Sequence, residues 1–438
     1  MSGTRSSHAI TAISDKLSVS PQLSVEDIPS LRDKGFKTLI NNRPDNEDTS
    51  QPNTQAERQE AKHCGLTYAF VPVTADTITE ADVRAFQRAV DESDGPVLAH
   101  CQTGKRSLNL YLIGEVLDGR MSADEAVAFG RSRGFDTSSA AAWLERHAAR
   151  RPKVKGFFDK RTWSVQYVVS DPATRKCAII DPVLDFDERA GATATINADA
   201  ILDYVRDNGL TVEWILDTHP HADHFSAAQY LKEKTGAQTA IGERVVDVQK
   251  LWQKIYNWPG LATDGSQWDR LFADGEDFKV GSIEAKVLFS PGHTLASITY
   301  VIGDAAFVHD TLFLPDSGTA RADFPGGDAR VLWNSIQEIL TFRMKRDFHG
   351  HDYQPDGRAP RWESTVAEQK KSNPHLAGVS EEEFVALRTK RDKTLPMPKL
   401  ILHALQVNIR GGRLPEPEAN GKRYLKFPLD SLQGAAWE

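Results

Sequence analysis

The feature that most restricts this chain is a seven-residue run, Thr218-His219-Pro220-His221-Ala222-Asp223-His224, with three imidazoles and one carboxylate. VEWILDTH (212–219) reads as a strand that ends on the first histidine, and an amphipathic helix follows the run. Residues two apart in an extended turn point their side chains the same way, so His219 and His221 can converge on one ion. Neutral imidazoles and a carboxylate suit zinc, iron, manganese and related ions. A run of surface histidines is the bland alternative. Fixed spacing on a strand-to-helix loop, where α/β folds carry their sites, argues against it.

Later segments supply more ligand-type residues at strand ends. Ser290-Pro291-Gly292-His293-Thr294 closes a strand with a histidine, after a glycine that lets the backbone come close. His309-Asp310-Thr311 closes another with a carboxylate, and Phe348-His349-Gly350-His351-Asp352-Tyr353 closes a third apolar segment. This order, over about residues 154 to 375, resembles the metallo-β-lactamase superfamily. The resemblance implies an αβ/βα sandwich, with Asp181 in IIDPV matching an early structural aspartate.

Two chemistries compete within that superfamily. A dinuclear hydrolase uses all seven positions, with Asp310 bridging, to activate water on a thioester or lactam. A mononuclear iron dioxygenase uses two histidines and a carboxylate and leaves positions open for substrate and O₂. The flanks Thr319-Ala320-Arg321-Ala322-Asp323-Phe324, His351-Asp352-Tyr353, Ser364-Thr365-Val366 running to Asn373-Pro374, and the tail LPMPKLILHALQVNIRGG (395–412) resemble the persulfide dioxygenases. Glyoxalase II, the nearest hydrolase, usually has Glu where Asp352 stands. Carried over by position, the resemblance implies His219, His293 and Asp310 as ligands of one Fe(II) per chain. His221, Asp223, His224 and His351 become surrounding residues, or second-metal positions with zinc in the hydrolase alternative. Arg321 matches a residue that grips the glutathione part of the substrate, and Tyr353 a tyrosine beside the iron. Thr319 stands where some members carry a cysteine, so redox regulation through that cysteine is not expected.

The first 150 residues alternate strand and helix signals. KTLINN (37–42), LTYAFVPV (66–73) and GPVLAH (95–100) read as strands. QAERQEAKHC (55–64), ITEADVRAFQRAV (78–90), SADEAVAFGRSRG (122–134) and SSAAAWLERHAAR (138–150) read as helices, which predicts a parallel α/β sheet. His100-Cys101-Gln102-Thr103-Gly104-Lys105-Arg106-Ser107 follows a buried strand and opens a helix. Loop N–H groups, the helix N-terminus, Lys105 and Arg106 favour a thiolate at Cys101 and can cradle an anion. The bland alternative is a structural cysteine at a tight turn. The loop resembles tyrosine-phosphatase loops, with Asp76 as candidate general acid, but it has four residues between Cys and Arg where those have five. The shorter ring fits sulfane-sulfur transfer of the rhodanese type better than a tetrahedral phosphate, with Cys101 and Arg106 as its catalytic residues. A non-catalytic persulfide sensor is a further alternative.

Nearly end to end, the chain resembles the family of bifunctional sulfur transferase/dioxygenase, or β-lactamase hydrolase-like, fusions. The resemblance implies glutathione persulfide, O₂ and sulfite/thiosulfate as reaction partners, sulfide detoxification as the outcome, and a homodimer. The expected domains are a phosphatase/rhodanese-like domain at 1–149, a linker at 150–156 and the dioxygenase domain with its C-terminal extension at 157–438. The tail from Glu381 is expected to wrap the sandwich, and Lys390, Arg391 and Lys393 read as solvated faces.

Composition sets the remaining bounds. A length of 438 residues, 40% of them hydrophobic, is enough for more than one core. A net charge of -8 argues against nucleic-acid binding, and no apolar run approaches the roughly 20 residues of a membrane span. MSGTRSSHAITAIS lacks a signal-peptide core, and three cysteines (Cys64, Cys101, Cys177) give no disulfide framework, so a cytoplasmic setting is expected.

Overall fold

The computed structural model describes residues 9–49, 51–149, 151–341 and 346–432. The chain divides into two compact units, 1–148 and 149–438. In the first, β1 (Thr11–Ala12), β2 (Leu17–Ser20), β3 (Thr38–Asn41), β4 (Thr67–Phe70) and β5 (Val97–His100) form one sheet of order β1-β2-β5-β3-β4. All neighbours except the β1–β2 pair are parallel. The helices are α1 (Ile28–Asp33), α2 (Thr54–His63), α3 (Glu80–Asp91), α4 (Lys105–Leu117), α5 (Ala123–Ser132) and α6 (Ser138–Ala149). Capping boxes at Thr79 and Ser122 start α3 and α5. Val19, Ile40, Val97 and Ala99 bury against Phe86, Leu108, Leu112 and Trp143 of the helices.

The second unit holds two six-stranded sheets. One is ordered β14 (Arg270–Phe272), β13 (Gln238–Gly242), β11 (Thr211–Leu216), β8 (Lys176–Ile180), β7 (Val165–Ser170), β6 (Lys153–Phe158). The other runs β15 (Asp277–Val280), β16 (Ile283–Phe289), β17 (Ile298–Ile302), β18 (Ala305–Phe307), β19 (Arg346–Phe348), β20 (Glu363–Ser364). A small sheet joins β9 (Val183–Asp187) to β10 (Ala192–Ala194) and β12 (Phe225–Ser226).

Period-two alternation explains the layers. Val165, Tyr167, Val169, Ala178 and Ile180 point between the sheets, where they meet Val287, Tyr300, Phe307 and Phe348. Their neighbours Val168, Cys177 and Ile179 point outward onto α7 (Ile196–Asp207), α8 (Ala228–Thr235) and α13 (Ile401–Asn408). Ala306 and Val308 face α10 (Ala329–Thr341) and α12 (Glu381–Asp392) on the opposite outer side. The result is the expected αβ/βα sandwich, completed by α9 (Val245–Ile255) and α11 (Val366–Ser372). Among the described residues no helix is long and apolar enough to cross a membrane.

One segment differs from the sequence reading. The stretch 150–156 was expected to be a linker, yet Lys153–Gly156 is the start of β6, an edge strand paired with β7. Its lysines face out, as edge strands favour, which hides the strand in a charged sequence. A Cβ on Gly156 would lie 2.6 Å from the Trp362 ring, so the glycine is a packing requirement rather than a sign of a flexible link. The extension from Glu381 does lie on the sandwich, and α13 packs against its outer face through Ala404 and Val407.

Candidate functional site

Four strands of the sandwich deliver the ligand-type residues from their C-terminal ends. β11 leads to His219, β16 to His293, β18 to Asp310 and β19 to His351. Gly292, at φ +128°, permits the turn before His293: a Cβ there would lie 2.3 Å from the Leu332 backbone of α10. Asp310 Oδ2 lies 3.6 Å from His219 Nε2 and 3.7 Å from His293 Nε2. Its other oxygen lies 3.4 Å from His351 Nε2, which is also 3.5 Å from Asp223.

Three overlapping groups converge closely enough to hold an ion: His219, His221 and Asp310; His221, Asp223 and His224; and Asp223, Asp310 and His351. Six of the seven ligand-type side chains fall within these groups, and His293 adjoins them through its 3.7 Å approach to Asp310 Oδ2. The donor set fits a divalent ion of the zinc or iron type. Moreover, His219 Nε2, His221 Nδ1, His224 Nε2 and Asp310 Oδ1 are buried with no hydrogen-bond partner among the described residues. Such atoms are costly unless something coordinates them.

The surrounding residues fix the rings. His293 Nδ1 sits 2.8 Å from the Arg321 carbonyl, and His219 Nδ1 sits 3.0 Å from Thr218 Oγ1. The Thr218 hydroxyl donates to Asp181. Asp181, buried and at φ +47°, also takes the Thr218 backbone N–H and lies 2.6 Å from His309 and 3.0 Å from His221. Burial raises the Asp181 pKa, but His309 and His221 together hold it well below the carboxylate range. Burial pushes His293 down to about 4, with His219 adding to the shift. Burial also opposes charge on His351, but Asp310 and Asp223 lift it to about 9. Asn408 of α13 donates to the His221 and His224 carbonyls, tying the extension to the histidine loop.

A cavity of about 540 Å³ opens over this centre, lined by Asp223, His293, Asp310 and His351. Arg321 and Tyr353 both line it. Tyr353 stacks on the His351 ring at 5.3 Å between centroids. The Arg321 guanidinium is engaged by Asp323 and the Pro396 carbonyl. Arg391, read from sequence as a solvated face, lines the cavity, as do Arg388 and Lys399 of the extension. Trp163 was missed altogether. No local signal marks these residues, because tertiary packing of the extension and of the β6–β7 turn brings them there.

In the first unit Cys101 is fully buried, and its Sγ accepts from the Gly104 N–H at 3.2 Å. Gly104, at φ +88°, turns the loop into α4. Arg106 makes a two-pronged pair with Glu47 and donates to the Val73 carbonyl. Arg43 holds the same Glu47. Lys105 pairs with Asp136, and Asp76 is exposed on the turn after β4. Cys177 is buried mid-strand, and burial pushes its thiol up to about 12.

Comparison with known proteins agrees with this two-part construction. Residues 9–118 match the phosphatase-like domain of beta-lactamase hydrolase-like protein, and residues 164–351 match the metallo-beta-lactamase superfamily. A beta-lactamase hydrolase-like protein of Agrobacterium fabrum is 66% identical over 426 residues, covering 97% of this chain and 99% of that protein. The chain belongs to the beta-lactamase hydrolase-like protein family. Its metallo-beta-lactamase part also has more distant relatives. The persulfide dioxygenase ETHE1 of Bos taurus is 30% identical, covering 59% of this chain and 88% of that protein. The crystal structure of ETHE1 from Myxococcus xanthus is 31% identical, covering 60% of this chain and 100% of that one, with a TM-score of 0.49.

Proposed function

We propose that this family member is a bifunctional sulfur enzyme. Its second unit oxidises glutathione persulfide with O₂ and water to sulfite and glutathione, and its first unit transfers sulfane sulfur through Cys101. The observation that carries the reading is the approach of His219 Nε2 and His293 Nε2 to one oxygen of Asp310, with His293 and Asp310 lining a cavity. The relatives named persulfide dioxygenase support the choice of substrate. Fe(II), which His219, His293 and Asp310 would hold, would supply redox chemistry and affinity for a soft terminal sulfur.

The chain's own residues do the positioning. The Arg321 carbonyl fixes the His293 ring, and Thr218 fixes His219. His351 lies between Asp310 and Asp223 beside the cavity floor. Phe313, Phe324 and Leu395 exclude water from the cavity wall, and Arg391 and Lys399 favour an anionic thiol at its rim.

In the first unit the Cys101 thiolate attacks the outer sulfur of a persulfide, and the donor thiolate leaves. Sulfite then attacks the Cys101 persulfide, thiosulfate departs and the thiolate is regenerated. Three free cysteines fit a reducing compartment.

One observation favours a second reading. Asp310 Oδ1 faces His351 beside Asp223 and His224, so a two-zinc thioester hydrolase would find its second set of ligands in place. The deciding experiment follows O₂ uptake on glutathione persulfide by iron-loaded protein, with metal content measured on the same sample. Uptake with sulfite formed and about one iron per chain supports the dioxygenase. Two zinc ions, no uptake and thioester hydrolysis overturn it.

A further inference from the structure

Trp163 is an unusual residue for its place. It lies in the turn between β6 and β7, at φ +56°, where a bulky side chain is strained. Its ring is also 46% exposed, so burial does not offset the strain. It lines the cavity over the metal centre.

The turn is nevertheless held firmly. Asp159 N–H donates to the Ser164 carbonyl, and the Thr162 hydroxyl donates to Asp159 at 2.7 Å. The Trp163 carbonyl accepts from the Asp352 N–H at 3.0 Å, and Ser164 bridges to His351. Ser164 Oγ donates to Asp223 at 3.0 Å. The backbone that bears Trp163 is therefore registered to the strand end that bears His351 and Tyr353. Tyr353, 49% exposed, lies with its ring centroid 6.4 Å from that of Trp163 at a 49° tilt. Two half-exposed rings thus form a V at the mouth of the cavity, one of them seated on a ligand-type histidine.

We propose that Trp163, together with Tyr353, is an aromatic lip that binds the peptide part of the thiol substrate and sets its specificity. This inference rests on the persulfide reading given above. Flat amide groups stack on aromatic faces, whereas an inorganic persulfide has no such plane to offer. The lip thus selects a thiol carried on a peptide over a bare sulfur anion.

The test measures binding of S-methylglutathione, which cannot react, to the full-length protein by calorimetry, alongside KM and kcat for glutathione persulfide. Trp163→Gly removes the ring and relieves the strain, and Trp163→Phe keeps a ring. The expected result is binding weakened about five- to tenfold in Trp163→Gly with KM raised and kcat unchanged, and largely restored in Trp163→Phe. Equal binding by wild type and Trp163→Gly overturns the lip and leaves the persulfide reading standing. Wild-type protein that neither binds S-methylglutathione nor consumes glutathione persulfide overturns both.

Discussion

At the scale of single residues, Asp310 is the side chain with most depending on it. Its two oxygens face different histidines, so its removal affects every grouping except the one built from His221, Asp223 and His224. Asp310→Ala is expected to strip bound metal, read as iron and zinc per chain. His224→Ala is expected to keep about one ion at roughly tenfold lower affinity, the usual cost of losing an outer partner. Release of one of two ions by His224→Ala would instead mark a two-metal centre. Asp347 is the opposite kind of residue: fully buried, with neither carboxylate oxygen hydrogen-bonded among the described residues. Burial, with Glu368 adding to it, pushes its pKa up to about 7. Well below pH 4 the carboxyl is neutral in both folded and unfolded chains and adds no pH-dependent penalty. As pH rises towards 7 the unfolded chain ionises while the fold retains the proton, so stability falls and levels off above 7. Asp347→Asn should therefore raise Tm increasingly between pH 4.5 and 8, by at most roughly 4 kcal/mol in stability. A Tm difference independent of pH would refute this account.

At the scale of elements, α12 illustrates what the extension contributes. Arg388 is buried; it donates to the Thr319 carbonyl and pairs with Asp392, which in turn accepts from the Ala322 N–H. The segment clamped in this way contains the Arg321 carbonyl that orients His293. Arg388→Met leaves Asp392 buried without its partner, a loss of about 3–5 kcal/mol. It should lower Tm and weaken metal retention together, whereas a fall in Tm with metal affinity unchanged would show that the clamp does not reach His293. That the tail from Glu381 wraps the sandwich is legible in the sequence, but the Arg388–Asp392 clamp is not, because nothing in a charged stretch tells a buried pair from a solvated one. The ligand-type residues were legible because each sits within a few residues of an apolar strand that announces itself by composition. Trp163 and Arg391 were not, because their approach to the cavity depends on how a turn and an extension pack, and neither leaves a periodic trace. β6 escaped for a related reason: alternating lysines on an edge strand look like a polar connection.

At the scale of the whole molecule, each unit closes its own hydrophobic core, one around Phe86 and Trp143, the other between the two six-stranded sheets. Cys101 receives its hydrogen bond within the first unit, and the metal-type cluster draws every ligand from the second. On the proposed reading each half therefore holds its own reacting groups, and the link between them is a small diffusible anion, sulfite. Cys101→Ser is expected to leave O₂ uptake on glutathione persulfide unchanged and to stop the chain at sulfite. Asp310→Ala should abolish uptake, yet still form thiosulfate when sulfite and a persulfide donor are both supplied. Because sulfite released by one molecule is available to any other, an equimolar mixture of the two variants should make thiosulfate from glutathione persulfide at a rate set by each half's concentration. After a brief lag while sulfite accumulates, that rate should reach about half that of wild type at equal total protein. A mixture that accumulates sulfite and makes little thiosulfate would show instead that the intermediate is handed over within one chain, and that the fusion is part of the chemistry.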